Sequence, residues 1–163
     1  MISLIDDTVK TVRRISSELR PGILDDLGLI PALEWQCQEF EKRTGITSHF
    51  YTDLLSDFNP EGNLATNIFR VFQETLTNVA RHAQASIVET SLTRKGNDIV
   101  LRVKDDGVGF DMEEAKKKNS LGLIGMRERA LLFRGELTFE SEKEKGTVVI
   151  LKVPFAQADR KTQ

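Results

Sequence analysis

Apolar and polar positions alternate along this chain with two different periods, and the change of period marks its elements. Near the start, Ile2, Ile5, Val9, Val12, Ser16 and Leu19 recur at spacings of three and four, the seam of a helix packed on another helix. Pro21 and Gly22 in "LRPG" end that helix. "ILDDLGLIPALEWQCQEFEKRTG" predicts a short connector and a second helix, entered at Pro31 and closed by Gly45, so residues 21–45 read as a bridge. After Gly45 the pattern is mixed. "ITSHFYTD" has the β-branched and aromatic content of a strand, and residues 61–83 show helical period with Leu64, Ile68, Val71, Thr75 and Val79 on one face. "SIVETSLTRKGNDIVLRVKD" predicts a hairpin turning at Lys95, Gly96 and Asn97, its second strand alternating Ile99, Leu101 and Val103 against Val100, Arg102 and Lys104. "DMEEAKKKN", residues 111–119, has almost no apolar content and predicts a mobile surface loop. A helix from about Leu121 to Phe133 and strands in "ELTFES" and "GTVVILKVPF" complete the chain. The architecture expected is an α/β two-layer sandwich: a mixed sheet with helices on one face, preceded by an N-terminal helix.

Composition narrows the partners. With 163 residues, of which 39% are hydrophobic and 29% charged, the chain has the size of one domain. A domain of that length buries roughly 70% of its unfolded surface. Lys and Arg number 23 against 25 Asp and Glu, a net charge of −2, and no basic run is long enough for a nucleic-acid surface. The single cysteine, Cys37, leaves no internal disulfide and no zinc spacing, which points to a reducing, cytoplasmic setting. No apolar run approaches the roughly 20 residues that span a bilayer, and "MISLIDDTVK" is acidic where a signal peptide is basic. A soluble segment without membrane contact is expected, cytoplasmic either by itself or as part of a membrane-bound sensor.

Three stretches carry chemistry. Glu74, Asn78 and Arg81 stand at i, i+4 and i+7 of a helix, an acid, an amide and a base on one face, which suits a site or a solvated face held by helical pairs. "VKDDGVGF", residues 103–110, ends a buried strand with two acids and two glycines. Gly107 and Gly109 occupy positions where a calcium loop needs oxygen ligands, the Lys and Ser/Thr of a Walker loop are missing, and so is the third glycine of a dinucleotide fingerprint. What fits is a carboxylate that accepts from an exocyclic amine, with glycines that let a flat ring approach the backbone, although an acidic turn between strands has the same pattern. In "NSLGLIGMRERA", Gly122 and Gly125 open a helix, which suits phosphate oxygens or a packed loop-to-helix junction. Gly146 and Thr147 start the last strand, where the backbone can approach a ligand closely.

Together, "QETLTNVARHA", "DDGVGF", "SLGLIGMRERA" and "KGTVVILKVP" resemble the N, G1 and G2 boxes of the GHKL ATP-binding superfamily, which includes gyrase, the heat-shock chaperone, histidine kinases and the mismatch-repair ATPase. "ELRPGILDDLGLIPAL" before them narrows the resemblance to the catalytic domain of nitrate-sensor-like two-component sensor histidine kinases. The resemblance implies the Bergerat fold, with ATP and Mg²⁺ held between helices and a mobile lid. It divides the chain into the end of a dimerisation hairpin's second helix (1–20), a connector and helix (21–45), the ATP-binding catalytic domain (46–156) and a tail (157–163).

The same resemblance assigns roles to residues. Asp105 would accept the adenine amine, Gly107 and Gly109 would flank the base, and Asp106 falls at a variable position. Asn78 would coordinate Mg²⁺, Arg81 would contact phosphate in place of the commoner lysine, and His82 belongs to the same box. Glu74 would orient the metal or polarise a water. Gly122, Leu123 and Gly125 would cradle phosphate, and Thr147 would touch the adenine side. Ser120 and Arg134 stand where the family usually has glycine, a departure that bears on lid geometry. The implied reaction is transfer of the ATP γ-phosphoryl to a histidine on a dimerisation segment, then relay to a response regulator, within a homodimeric parent. Neither His49 nor His82 has the acceptor's context, so the acceptor is expected outside this chain. Two other readings are a GHKL-type ATPase with Glu74 activating water and a nucleotide-binding regulatory module without kinase activity.

Overall fold

The computed structural model describes Ile5, Thr8 and residues 22–60, 63–117 and 120–155. Its elements run α1 (Gly22–Leu27), α2 (Leu29–Thr44), β1 (Thr47–Thr52), α3 (Asn63–Asn78), a π-helical turn (Val79–Ala83), β2 (Ile87–Lys95), β3 (Asp98–Asp105), α4 (Met112–Lys117), α5 (Leu121–Leu132), β4 (Glu136–Ser141) and β5 (Thr147–Pro154). The strands form one sheet in the order β1-β2-β3-β5-β4. β1 lies parallel to β2 and every other pair is antiparallel, which makes the sheet mixed as expected. Of the seam expected across residues 2–19, only Ile5 lies within the described residues, and it is exposed. The tail at 157–163 lies outside them.

The helices cover one face of the sheet. Phe40 from α2 and Phe69 and Phe72 from α3 are fully buried against Val88, Leu92, Leu101, Val103, Val149 and Leu151, the inward positions of three strands. Each such aromatic contributes about 1.5–3 kcal/mol by leaving water. Of the expected stripe, Ile68, Val71 and Thr75, with Val79 beyond α3, are buried, and Leu64 is half-buried against the same core. The bridge segment shares this core, since Leu24, Leu29, Leu33 and Phe40 pack into the same cluster. Among the described residues, no helix is long and apolar enough to cross a membrane.

Three local features differ from the sequence expectation. The connector before α2 is itself helical, and α2 begins at Leu29, so that Pro31 sits inside the first turn, where a missing donor costs no bond. Gly45 closes it in the left-handed region at φ 74°, its amide donating to the Glu41 carbonyl at 2.8 Å. The loop expected at 111–119 contains helix α4 instead. Met112 is half-buried and Glu113, Glu114 and Lys117 are exposed, but the Asp111 carboxylate accepts from the amides of Glu113 at 2.8 Å and Glu114 at 3.3 Å, and "MEEAKK" is built of good helix formers, so a cap and local propensity hold the helix. Finally, the helix expected to run unbroken to residue 83 widens into a π turn after Asn78. The π turn closes i→i+5 rather than i→i+4, so Arg81 leaves the α-helical register that would have aligned it with Glu74 and Asn78.

Candidate functional site

The end of β3 is built around Asp105. It pairs with Thr147 of β5 and Val88 of β2, and only 4% of its surface is accessible. Its carboxylate accepts the amide of Gly107 at 2.9 Å and the backbone amide of Thr147. Burial holds the carboxyl above the ordinary carboxylate range, against the pull of those two hydrogen bonds, and the neighbouring Asp106 charge adds to the rise. A buried, charge-capable acceptor with only backbone donors around it is suited to a ligand donor such as an aromatic amine.

Asp106 behaves oppositely. It faces solvent, and its Oδ1 accepts from Ile87 N at 2.9 Å and Ser86 N at 2.8 Å, which hold its carboxyl below the ordinary value. The two bonds fasten the loop after the π turn to the end of β3. Next to it, Val108 N donates to the Ala83 carbonyl at 2.7 Å, and a Cβ on Gly107 would overlap that same carbonyl oxygen. Gly109, at φ 61°, is equally filled in, by the Glu142 carbonyl. The glycines of "DDGVGF" thus admit the chain's own backbone.

Ser141 is a residue the sequence did not single out. From the end of β4 its hydroxyl accepts the amide of Phe110 at 2.9 Å and lies 2.8 Å from Thr147 Oγ1 and 3.2 Å from the Gly146 carbonyl. It therefore ties the glycine loop to the start of β5. A serine at a strand end has no distinctive pattern, and only the pairing of β4 with β5 brings it here.

The helical half of the site lies on α3 and α5. Asn78, half-buried, ends α3; Arg81 and His82 are exposed on the π turn. Gly122, in the first turn of α5, is pressed on Glu74, and a Cβ there would overlap Glu74 Oε1. Ser120 caps α5, its Oγ accepting the Leu123 amide at 3.1 Å, which is a working substitute for glycine at that position. Arg134, after α5, takes φ 55°, the left-handed conformation for which glycine is the usual residue. A cleft of about 480 Å³ opens among α2, α3 and α5, with Glu74, Gly122 and Gly125 in its wall. Asn78, Arg81, His82, Asp105, Gly107, Gly109, Leu123 and Thr147 are not part of its lining. The structure thus groups Asp105, Gly107 and Thr147 at one end, Glu74, Gly122 and Gly125 at the other, and places Asn78 and the π turn along the chain from the second to the first. Among the described residues no cluster of three or more His, Cys, Asp or Glu side chains is arranged to hold a metal.

The family model described as histidine kinase-, DNA gyrase B- and HSP90-like ATPase matches residues 63–157. The chain is 42% identical over 155 residues to the oxygen sensor histidine kinase NreB of Staphylococcus carnosus, covering 95% of this chain and 43% of that protein. It is 37% identical over 152 residues to the signal transduction histidine-protein kinase/phosphatase DegS of Brevibacillus brevis, covering 93% and 39%. The chain therefore spans about two fifths of these relatives. Among solved structures, the blue-light activated histidine kinase of Erythrobacter litoralis superposes with a TM-score of 0.68 at 20% identity, over 80% of this chain and 42% of that one, which supports the fold.

Proposed function

The chain belongs to the family of histidine kinase-, DNA gyrase B- and HSP90-like ATPases, and we propose that it is the ATP-binding catalytic part of a two-component sensor histidine kinase, donating the ATP γ-phosphoryl to a histidine outside these residues. The observation that carries this reading is Asp105, a buried carboxylate whose protein partners are backbone amides. In this reading it accepts the adenine amine, with Gly107, Gly109 and Thr147 forming the walls of the base pocket. Arg81 and His82, exposed on the π turn, and the first turn of α5 at Gly122, Leu123 and Gly125 hold the phosphates. Glu74, beside Gly122, faces the transferred group.

The donor set fits Mg²⁺ rather than a protein-caged metal. Asn78 supplies one hard oxygen at the end of α3, and magnesium takes few protein ligands, with water and phosphate completing its shell. Bound there, the ion would neutralise charge on the transferring phosphoryl group. The chain's own contribution is positioning and electrostatics: Asp105 orients the base and the π turn and α5 amides orient the phosphates, which is where most of the rate of phosphoryl transfer arises. The acceptor lies on a dimerisation segment of a homodimeric parent, and a response regulator takes the phosphoryl group onward.

Calorimetric titration of ATP, ADP and GTP, each with Mg²⁺ or with chelator, tests the assignment. Asp105→Ala removes a charge-assisted hydrogen bond of roughly 1.5–3 kcal/mol and weakens ATP binding by about 10- to 100-fold with or without magnesium. Asn78→Ala abolishes the magnesium dependence and spares much of the metal-free affinity. GTP, which presents an acceptor where adenine presents its amine, binds poorly to the parent. Unchanged Mg-ATP affinity in Asp105→Ala would overturn the assignment. Turnover of ATP without any acceptor would favour an ATPase, and phosphorylation of a histidine-bearing hairpin supplied in trans supports the kinase.

A further inference from the structure

Asp105, Thr147 and Ser141 are register partners on three adjacent strands, β3, β5 and β4, so their side chains form one row across the end of the sheet. By the two-residue period of a strand, the row stands on the same face as Val103, Val149 and Phe139. It consists of a carboxylate and two hydroxyls, and both hydroxyl residues are half-buried.

The Ser141 hydroxyl has three partners: the Phe110 amide at 2.9 Å, Thr147 Oγ1 at 2.8 Å and the Gly146 carbonyl at 3.2 Å. A serine hydroxyl has one hydrogen and two lone pairs. One lone pair takes the Phe110 amide, and the Gly146 carbonyl can only accept, so it takes the hydrogen. The other lone pair is left for Thr147, whose hydroxyl must then donate. This is the one polarity in which all three contacts are hydrogen bonds. Gly146 is held in place for it, at φ 80° and pressed on Asp105 so closely that a Cβ would overlap the Asp105 carbonyl oxygen. Among the described residues the Thr147 hydroxyl has no other partner. Having given its hydrogen to Ser141, it offers a ligand lone pairs alone.

Two acceptors therefore stand on neighbouring strands, the Asp105 carboxylate and Thr147 Oγ1. Neighbouring strands lie about 4.8 Å apart, and two oxygens that each take one hydrogen of the same primary amine are separated by about 5 Å at ordinary N–H···O lengths. A carbonyl oxygen in the amine's place would face two acceptors with no hydrogen between them. Without Ser141, the freed Thr147 hydrogen has the Asp105 carboxylate beside it as an alternative acceptor, in competition with the amine.

We propose that Ser141 is a positioning residue for base selection: it holds Thr147 as an acceptor, so that Asp105 and Thr147 together take both hydrogens of the base's exocyclic amine. The proposal rests on the nucleotide reading above and adds the reason the site requires an amine. Ser141 acts through Thr147.

The test uses the 163-residue chain with Ser141→Ala, Ser141→Thr, Thr147→Val and the double variant Ser141→Ala/Thr147→Val. Calorimetry gives the Kd of Mg-ATP and of the magnesium complex of purine riboside triphosphate, which is ATP without its amine. The parent prefers ATP. Ser141→Ala and Thr147→Val are each expected to weaken ATP by about three- to tenfold, the effect of one hydrogen bond, and to leave the amine-free nucleotide within about twofold. The double variant loses no more than the larger single loss, because both changes act on the same bond, and Ser141→Thr, which keeps the hydroxyl, restores the preference. Equal weakening of both nucleotides in Ser141→Ala overturns the proposal and leaves Ser141 a strut for the glycine loop. Unchanged ATP affinity in Ser141→Ala, or losses that add in the double variant, overturns it too. A parent that binds ATP in any of these cases keeps the nucleotide reading, whereas a parent that binds neither nucleotide overturns that reading and the proposal with it.

Discussion

Val108 donates its amide to the carbonyl of Ala83 across 2.7 Å, and this bond joins the two halves of the candidate nucleotide site. Ala83 ends the π turn that carries Arg81 and His82, and Val108 follows the Asp105 strand end. The Asp106 carboxylate adds two bonds to Ser86 and Ile87 on the same junction, and Asp106 N donates to the Ile87 carbonyl at 3.3 Å. These bonds fasten the end of the Asp105 strand to the π turn and to the loop that follows it.

Gly107→Ala breaks this junction. Its Cβ has no free space, because the atom it meets is the backbone carbonyl of Ala83 rather than a flexible side chain. The expected cost is about 2–3 kcal/mol, the upper part of the range for overpacking, read from denaturant midpoints. Amide exchange at Val108 accelerates in parallel. A variant as stable as the parent would show that the junction yields.

Asp105 and Asp106 carry opposite pH dependences. For Asp105, burial raises the folded-state value, so its contribution favours the fold at low pH and is lost as pH rises from the ordinary carboxylate value through the raised one. For Asp106, the Ile87 and Ser86 amides lower it, so its contribution is present above the ordinary value and is lost as pH falls through the lowered one. Thermal unfolding between about pH 2 and pH 6 should show Asp106→Asn losing its disadvantage toward acid, and Asp105→Asn comparing better with the parent as pH rises. Carboxyl NMR titration checks the order directly, with Asp105 protonating first as the pH is lowered.

Arg134→Gly is expected to stabilise the chain. Arg134 takes φ 55° directly after α5, and its amide donates to the Leu131 carbonyl at 3.1 Å, a helix-ending geometry that glycine adopts without a Cβ penalty. The gain is about 1 kcal/mol, read as a higher denaturant midpoint at unchanged slope. A loss would mean that the guanidinium itself contributes.

Two caps frame the segment before α5. Ser120→Ala removes the acceptor for the Leu123 amide and should cost about 1 kcal/mol, while Ser120→Gly costs only a few tenths, roughly. Asp111→Ala leaves the Glu113 and Glu114 amides without their acceptor and should fray α4. Faster amide exchange confined to residues 112–117 in Asp111→Ala checks this; unchanged exchange would show that α4 is held by something else.

The elements were legible where a local pattern carried them. Alternation of Ile99, Leu101 and Val103 placed Asp105 at the end of a strand, and it is there, paired with Val88 and Thr147. The hairpin expected to turn at Lys95, Gly96 and Asn97 turns at Gly96 and Asn97, with Lys95 still in the strand and paired with Asp98, and the stripe through Ile68, Val71 and Thr75 faces the core. Helix α4 was missed because low apolar content was read as absence of structure, when a carboxylate cap supplies local bonds that need no core. The π turn was missed because the side-chain pattern continues through Val79 and Ala83, both buried, while the backbone bonding changes beneath it.

The sequence by itself determined which groups have chemistry and on which elements they stand, since periodicity and capping act over a few neighbouring residues. Tertiary structure alone decided what surrounds them. At Gly107 and Gly109 the place of a Cβ is taken by the carbonyls of Ala83 and Glu142, because a glycine records only that space is needed and not what takes it. Arg43, Arg70 and Arg129 were unremarked helical residues until the packing of α2, α3 and α5 brought their charges to one cleft. Charge acts through space, and their separation along the chain says nothing of their separation in the fold.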